Sequence, residues 1–461
     1  MRTGIIGTEA AGSPALCDAL QQVTFNSIRN VLPDAAIADA CRRVGHRYRC
    51  RVLTPVITVL HMILASLWPE ESFQASAQLI WDTFLAAFPQ LSARRPSSGS
   101  MAKARARLPM ALWERLGAYL ADKAAMLSAP WAFWRGHRVV LVDGTCVSMS
   151  DTPELRNEFG TSTGRGGRRH YPLARLVTVA LGNTMTLLGY SLGRYDDSEQ
   201  SLLRPLLGHL RPGDLLIGDR HYAGANLYSE YLAAGLQFLT RAHQRLKISR
   251  LVPLAGYAAS ANDFVADLRV NAKCRRADPT LPATVRVRLI QAAVRTRKGR
   301  QTMWFATSLL EAAKYPAAEV VALYGRRWRI ETLFLQLKRR LSADVLRSKT
   351  PEGVRKELAA CVAAVNVVRS IMLEAAAAGQ VDPIRLSFTG ALRAILAFSP
   401  LLGTSPAWKL PAIYDAMLYA IATDVVPHRP DRQEPRAVRR EWKHYPRLKT
   451  TRAAWRRQWA A

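Results

Sequence analysis

A chain of 461 residues with 49% hydrophobic content is long enough for two or three domains and too apolar to be a disordered polymer. Its formal charge of +30, from 65 Lys and Arg against 35 Asp and Glu, exceeds what solubility requires and points to a polyanionic partner. Nucleic acid is the first candidate, because its backbone is dense in negative charge; an acidic membrane surface is the rival, though neither a basic amphipathic helix nor a lipidation signal is clear. The six cysteines are far apart and form no CxxC pair, so reduced cytosolic thiols are the simplest account. The first residues lack the basic and apolar regions of a secretory signal.

Residues 1–130 read as helical, with apolar periodicity in TFNSIRNVLPDAAIADACRRV, in the run around His61 and in ALWERLGAYLADKAAML. The apolar run at 52–69 holds Pro55 and His61 and reads as a buried helix rather than a membrane span. PQLSARRPSSGS marks a loop around 89–100. From residue 138 the texture changes to strands: HRVVLVDGTCVSM, ARLVTVALG and TLLGYSLGRY, then a helical DSEQSLLRPLLGHL, a short buried strand GDLLIGDR and another strand LQFLTRA. Strands in meander order that then alternate with helices predict a mixed sheet flanked by helices, an α/β core over 138–244. Residues 245–310 carry alternating patterns in KISRLVPL, DFVADLRV, ATVRVRLIQAAV and QTMWFATSL, a β-rich insertion. Helices resume over 311–425, and 426–461 is a basic tail with Trp442, Tyr445, Trp455 and Trp459 among Arg and Lys. Such a tail can grip a nucleic-acid backbone and stack on bases, or extend as a solvated segment.

The segment YGRRWRIETLFLQLK places Tyr324, Arg327, Glu331 and Lys338 at spacings of three, four and seven. Continued as one α-helix, these four residues fall within roughly 60° of one another. Ile330, Leu333, Phe334, Leu337 and Leu341 form an adjoining apolar stripe, which would dock on a core and leave the charged ridge lining a cleft. A lone acid among cations suits a catalytic carboxylate set among phosphate-binding groups; a solvated face with local ion pairs fits the same spacing. Asp143 closes the strand VVLVD, and Asp219 closes LLIGD. Together with Glu331 they offer three oxygen ligands of the kind Mg²⁺ prefers, and close carboxylates would repel one another without a cation. Each Asp taken alone also fits an ordinary turn residue.

No other segment competes. GRGGRRH at 164–170 lacks the order of a phosphate loop and reads as a hairpin tip whose Arg165, Arg168 and Arg169 either touch DNA or simply project. Ser148 and Ser150 sit in no GxSxG context, and His221 has a structural reading or a phosphate-positioning one.

Taken together, VDGTxV at Asp143, GDRHY at Asp219 and YxxRxxxExxxxxxK from Tyr324 resemble, in order and spacing, the three catalytic blocks of bacterial insertion-sequence DDE transposases with the Tyr-Arg-Glu-Lys signature. The resemblance covers most of the chain and is strongest over 138–341. It implies an RNase H-like core with a β-rich insertion, a helical N-terminal DNA-binding region, and Asp143, Asp219 and Glu331 holding Mg²⁺, for which Mn²⁺ substitutes. It also implies that Tyr324, Arg327 and Lys338 hold phosphates near the cleaved end, and Trp328 stands where the family often has Trp. In members that form a DNA hairpin, an aromatic from the last strand of the insertion receives a flipped base. Trp304 is the candidate here, but alignment sets Met303 at that place, and in a strand one residue reverses the face. The implied activity is cleavage at terminal inverted repeats and joining of the 3′ ends to target DNA by a synaptic homodimer in a bacterial cytoplasm, without membrane involvement. A nuclease of the same fold and an inactive DNA-binding relative are the alternatives.

Overall fold

The computed structural model describes residues 26–49, 52–68, 74–78, 81–82, 96–163, 169–257, 260–296, 299–341, 343–427 and 457. The chain divides into two units, residues 1–425 and 426–461, and the sheet with its helices belongs to the first. The tail aromatics, and Arg165 and Arg168 of the hairpin tip, lie outside the described residues.

Runs of β-branched and aromatic residues form the strands β1 (Phe133–Trp134), β2 (His137–Met149), β3 (Thr161–Thr163), β4 (Arg169–Leu181), β5 (Leu187–Arg194), β6 (Leu215–Gly218), β7 (Gln237–Arg241), β8 (Asp263–Arg269), β9 (Thr284–Thr296), β10 (Gly299–Thr307) and β11 (Val345–Leu346). They join in one curled mixed sheet in the order β3-β4-β2-β6-β7-β10-β9-β8, with β1 and β11 on β2 and β5 on β4. β2 runs antiparallel to β4 and parallel to β6, and β6 runs parallel to β7. β10 then joins β7 antiparallel, so the strands of the 245–310 segment continue the same sheet.

Helices cover both faces. Val139 and Leu141 of β2 belong to the core shared with Ile330, Leu333 and the long helix Pro351–Gly379, whereas Val140 and Val142 face a second core with Tyr222, Leu227 and Phe238. This is the α/β, RNase H-like arrangement with a helical N-terminal region. The N-terminal helices Asp34–Arg43, Pro55–Leu67 and Met110–Leu127 share the first core. Pro351–Gly379 is long and apolar enough to cross a membrane by composition, yet 94% of its apolar window is buried inside the protein. Asn366 in its middle donates to Leu187 O at 2.8 Å and accepts from Leu187 N at 3.0 Å, tying the helix to the edge of β5.

Three local expectations differ from the structure. KISRLVPL forms a 3₁₀ turn at Ile248–Arg250 rather than a strand; Pro253 removes a ladder donor, and the segment reaches β8 only through Leu254 N to Val265 O at 2.8 Å. The end of the 89–100 loop is a helix start, because Ser97 accepts from Ser100 N at 3.2 Å and caps Ser98–Arg107. DSEQSLLRPLLGHL is an α-helix only over Glu199–Leu203 and tightens to 3₁₀ over Arg204–His209, where Pro205 supplies no N–H.

Candidate active site

Strand register explains how two distant aspartates meet. In the parallel β2/β6 ladder Val139 pairs with Leu215 and Leu141 with Ile217, so two residues on Asp143 stands level with Asp219; Asp219 directly follows β6, but Asp143 does not close its strand as the sequence suggested, because pairing with β4 carries β2 on to Met149. Asp143 is mostly buried, its side chain 17% exposed, and accepts from Gly144 N at 2.8 Å. Asp219 accepts from His221 N at 2.7 Å and caps the 3₁₀ turn Arg220–Tyr222. The backbone amide of His221 therefore has the structural part.

The third acid arrives from the segment after β10, which is not one continuous α-helix. Ala317–Tyr324 is α, Gly325–Trp328 is 3₁₀, Arg329–Leu335 is α, and Gln336–Arg340 is a π turn. A single 100° progression therefore does not hold from Tyr324 to Lys338, and the π turn re-aims Lys338. The apolar stripe nevertheless docks: Ile330, Leu333, Phe334, Leu337 and Leu341 are all buried. Arg326 and Arg329 anchor the segment from behind, Arg326 to Asn183 Oδ1 at 2.8 Å and Arg329 to Gly182 O at 2.9 Å in the β4–β5 turn. Of the three arginines in this stretch, Arg327 is the one that turns toward the acids.

Arg327 is the hinge of the charge arrangement. Its Nη1 lies 3.3 Å from Asp143 Oδ2 and its Nη2 lies 3.4 Å from Glu331 Oε1, so one buried guanidinium bridges two of the three acids. Its Nε has no hydrogen-bond partner among the described residues. Its face also stacks 4.6 Å from the centre of the Trp328 ring, which is 56% exposed. Glu331 is about half exposed. Tyr324 is buried with its ring 4.8 Å from that of Phe305; burial pushes its phenol up to about 12, so it acts as a neutral hydroxyl beside Arg327. Lys338 is half-buried, and desolvation lowers its ammonium below the ordinary lysine range, against the opposing pull of Cys146 and Asp344.

The remaining expected contacts are placed as follows. Trp304 lies on the second-core face of β10, edge-on to Phe264 at 5.8 Å, while Met303 packs with the first core. Met303 thus shares a face with Phe305 and the Tyr324 helix, and Trp304 does not. Arg169 begins β4.

Burial raises the Asp143 carboxyl to about 6; the Gly144 amide and Arg327 oppose the rise, and the neighbouring Asp219 and Glu199 add to it. Thr178, directly across the ladder from Asp143 on β4, buries a hydroxyl with no partner among the described residues. Among the described residues no three His, Cys, Asp or Glu side chains form a ready-made metal-binding group. The donor chemistry still fits a hard divalent cation: two carboxylates stand level on adjacent strands, one is held in a medium that disfavours its charge, and a cationic side chain links it to the third. On the Glu199 side of the sheet, a concavity of about 900 Å³ opens between Gln200, Asn226, Arg269 and Arg275.

Sequence comparison bears on the whole arrangement. The family described as "Transposase DDE domain" matches residues 134–367, from β1 to the middle of the long helix. The chain is also 27% identical over 327 residues to "Transposase InsG for insertion sequence element IS4" of Escherichia coli (strain K12), covering 69% of this chain and 71% of that protein. The match spans Asp143, Asp219 and the segmented helix with Glu331, and the chain belongs to the DDE-domain transposase family.

Proposed function

We propose that the protein cuts DNA at the terminal inverted repeats of its own insertion sequence and joins the freed 3′ ends to target DNA, using Asp143, Asp219 and Glu331 with Mg²⁺ or Mn²⁺. The observation that carries this reading is the level placement of Asp143, within β2, and Asp219, just after β6, with Arg327 linking Asp143 to Glu331. When bound, the divalent cation would supply charge neutralisation and an activated water or hydroxyl for phosphodiester displacement. The protein's own groups do the rest. Arg327, once released from the acids, offers a planar fork to a phosphate, Lys338 adds a point charge, and Tyr324 donates from its hydroxyl. Exposed Trp328 provides a stacking face beside them.

The division of labour follows the sequence reading: residues 1–130 recognise the ends, 138–244 and 311–425 hold the catalytic core, 245–310 is an insertion that lines the DNA path, and 426–461 adds electrostatic grip. Arg168 and Arg169 at the hairpin tip, and Trp304 in the insertion, belong to the proposed DNA-contacting set. The packing of Trp304 against Phe264 favours a supporting part over base capture. Two ends must be joined together, so the working form is a homodimer on DNA in the bacterial cytoplasm.

The deciding test incubates purified protein with labelled duplexes of the element's ends, a supercoiled target plasmid and Mg²⁺. Joined end–target products are expected. Cleavage without joining would reduce the protein to a nuclease of the same fold, and end binding without cleavage in Mg²⁺ or Mn²⁺ would reduce it to a DNA-binding relative.

A further inference from the structure

A fourth acid sits in the cleft, and the sequence motifs do not mark it. Glu199 opens the short helix Glu199–Leu203 after β5. Its Oε1 accepts from Arg175 Nη1 at 3.1 Å and its Oε2 from the Tyr222 hydroxyl at 2.9 Å. The carboxylate presses against the backbone of Gly144, the neighbour of Asp143: a Cβ at 144 would lie 2.5 Å from Glu199 Cδ and 2.7 Å from each carboxylate oxygen. Glycine at 144 is therefore what lets this carboxylate pack against β2 next to Asp143.

An ion pair with Arg175 alone would be ordinary, and a helix-opening Glu is favourable anywhere. The placement here is more demanding. Tyr222 is fully buried and directs its hydroxyl at Glu199, and its phenol is held well above the usual range by burial and then by Glu199, Asp143 and Asp219. One acid thus meets the buried hydroxyl directly, and two more act on it through their charge. Glu199 is held between Arg175 of β4 and Tyr222 of the turn after β6, and its side chain is only 21% exposed. A carboxylate held there by two donors adds negative potential where water screens it little.

We propose that Glu199 is a fourth carboxylate of the cation-binding cleft, a positioning residue whose charge, held beside Asp143 by Arg175, Tyr222 and the bare backbone of Gly144, tightens binding of the divalent cation. The inference rests on the cation-dependent reading above and assigns it an acid outside the three motifs. Glu199 keeps spare lone pairs on both oxygens after meeting Arg175 and Tyr222, so it can also orient a water of the bound cation.

The test is a Mn²⁺ titration of the full-length, metal-free protein without DNA, following free Mn²⁺ by electron paramagnetic resonance, with thermal melts run alongside. Glu199→Gln keeps an acceptor and the side-chain shape but removes the charge; it is expected to weaken Mn²⁺ binding about tenfold, in the range of residues that support metal ligands. Gly144→Ala leaves the carboxylate in the chain but pushes it away from Asp143, and is expected to weaken binding to a similar degree. Glu199→Asp, which restores the charge on a shorter arm, should recover part of the loss. Asp143→Asn serves as the reference for the cleft itself. If Asp143→Asn loses Mn²⁺ while a folded Glu199→Gln and Gly144→Ala bind it as the parent does, Glu199 is merely an anchor for Arg175 and the inference is overturned. If Asp143→Asn also binds Mn²⁺ unchanged, the cation reading itself fails and takes this inference with it.

Discussion

Asp143 shows at the level of one residue what the site costs the apoprotein. Its carboxyl ordinarily titrates near 3.8 and is raised to about 6 in the fold, chiefly by burial. Below about pH 3 it is neutral both folded and unfolded and contributes nothing; the penalty grows between the two values, and well above about pH 6 it is charged in both states and the folded state alone bears the full penalty. A rise of about two units corresponds to roughly 3 kcal/mol at most. Asp143→Asn in EDTA should therefore be more stable than the parent at pH 8 by an amount on the order of 1–3 kcal/mol and indistinguishable at about pH 3. Denaturant melts at the two pH values check this, and a pH-independent difference would contradict the burial assigned to Asp143. Arg327 is the complementary case. It pairs with both Asp143 and Glu331, and in the proposed function it is the group freed to hold phosphate. Arg327→Ala should weaken the end complex about tenfold or more in a gel-shift titration and slow cleavage, and Arg327→Lys should rescue it poorly, because an ammonium cannot form the forked contact.

The segmented helix from Ala317 to Arg340 carries the argument at the scale of elements. Its π turn is backed by Arg369, a fully buried arginine of the long helix whose Nη2 meets Gln336 Oε1 and whose guanidinium lies 5.0 Å from the centre of the Phe388 ring. No carboxylate pairs with Arg369 among the described residues, and burial lowers it to about 9. A buried cation held by one amide is a poor stabiliser, so its hold on Gln336, and through it on the aim of Lys338, is the better reason for its presence. Arg369→Leu should leave the melting temperature within a few degrees of the parent, or raise it, while lowering end affinity; a large loss of stability with unaltered end binding would reverse that assignment.

The same segment marks where sequence reading reaches and where it stops. The apolar stripe of Ile330, Leu333, Phe334, Leu337 and Leu341 is legible because burial on one face imposes a helical period that needs only local order. The switch from α to 3₁₀ to α to π is not, because tertiary contacts at Asn183 and Gln336 set it. The three arginines in GRRWR look alike in composition, and only the fold shows that Arg326 and Arg329 serve the β4–β5 turn while Arg327 faces the acids. The strand end at Asp219 is readable from its apolar run; the one expected at Asp143 is not there, because pairing with β4 extends β2 to Met149, and the equal level of the two acids follows from the β2/β6 register, which no single segment contains. Glu199 carries no motif at all; the trace it leaves in the sequence is a glycine after Asp143, a signal that many turns share.

Viewed as a whole, the molecule joins a sheet with helices on both faces to a charge of +30, and the two properties have separate consequences. The fold sets Asp143 level with Asp219 and brings Arg327 to Asp143 and Glu331; in the proposed function the charge governs how strongly any duplex is held. Binding to DNA of unrelated sequence should therefore fall steeply with salt, with a log–log slope of about −5 or steeper between roughly 50 and 200 mM NaCl if about six or more phosphates are neutralised. Fluorescence anisotropy with a random duplex measures this, and a slope near about −1 would mean that the excess charge serves something other than a nucleic-acid backbone.

The central claim is that three acids from β2, β6 and the segmented helix form one cation-dependent centre for DNA cleavage. It is tested most directly by comparing the parent with Glu331→Gln on duplexes carrying the element's ends in Mg²⁺. Glu331 is half exposed and its ion pair is with Arg327, so its amide variant should fold normally and bind the ends with affinity close to the parent. Its single-turnover cleavage should fall by at least about a thousandfold, an order set by losing a charge-stabilising group at the reacting phosphate. Cleavage by Glu331→Gln at the parental rate would contradict the account.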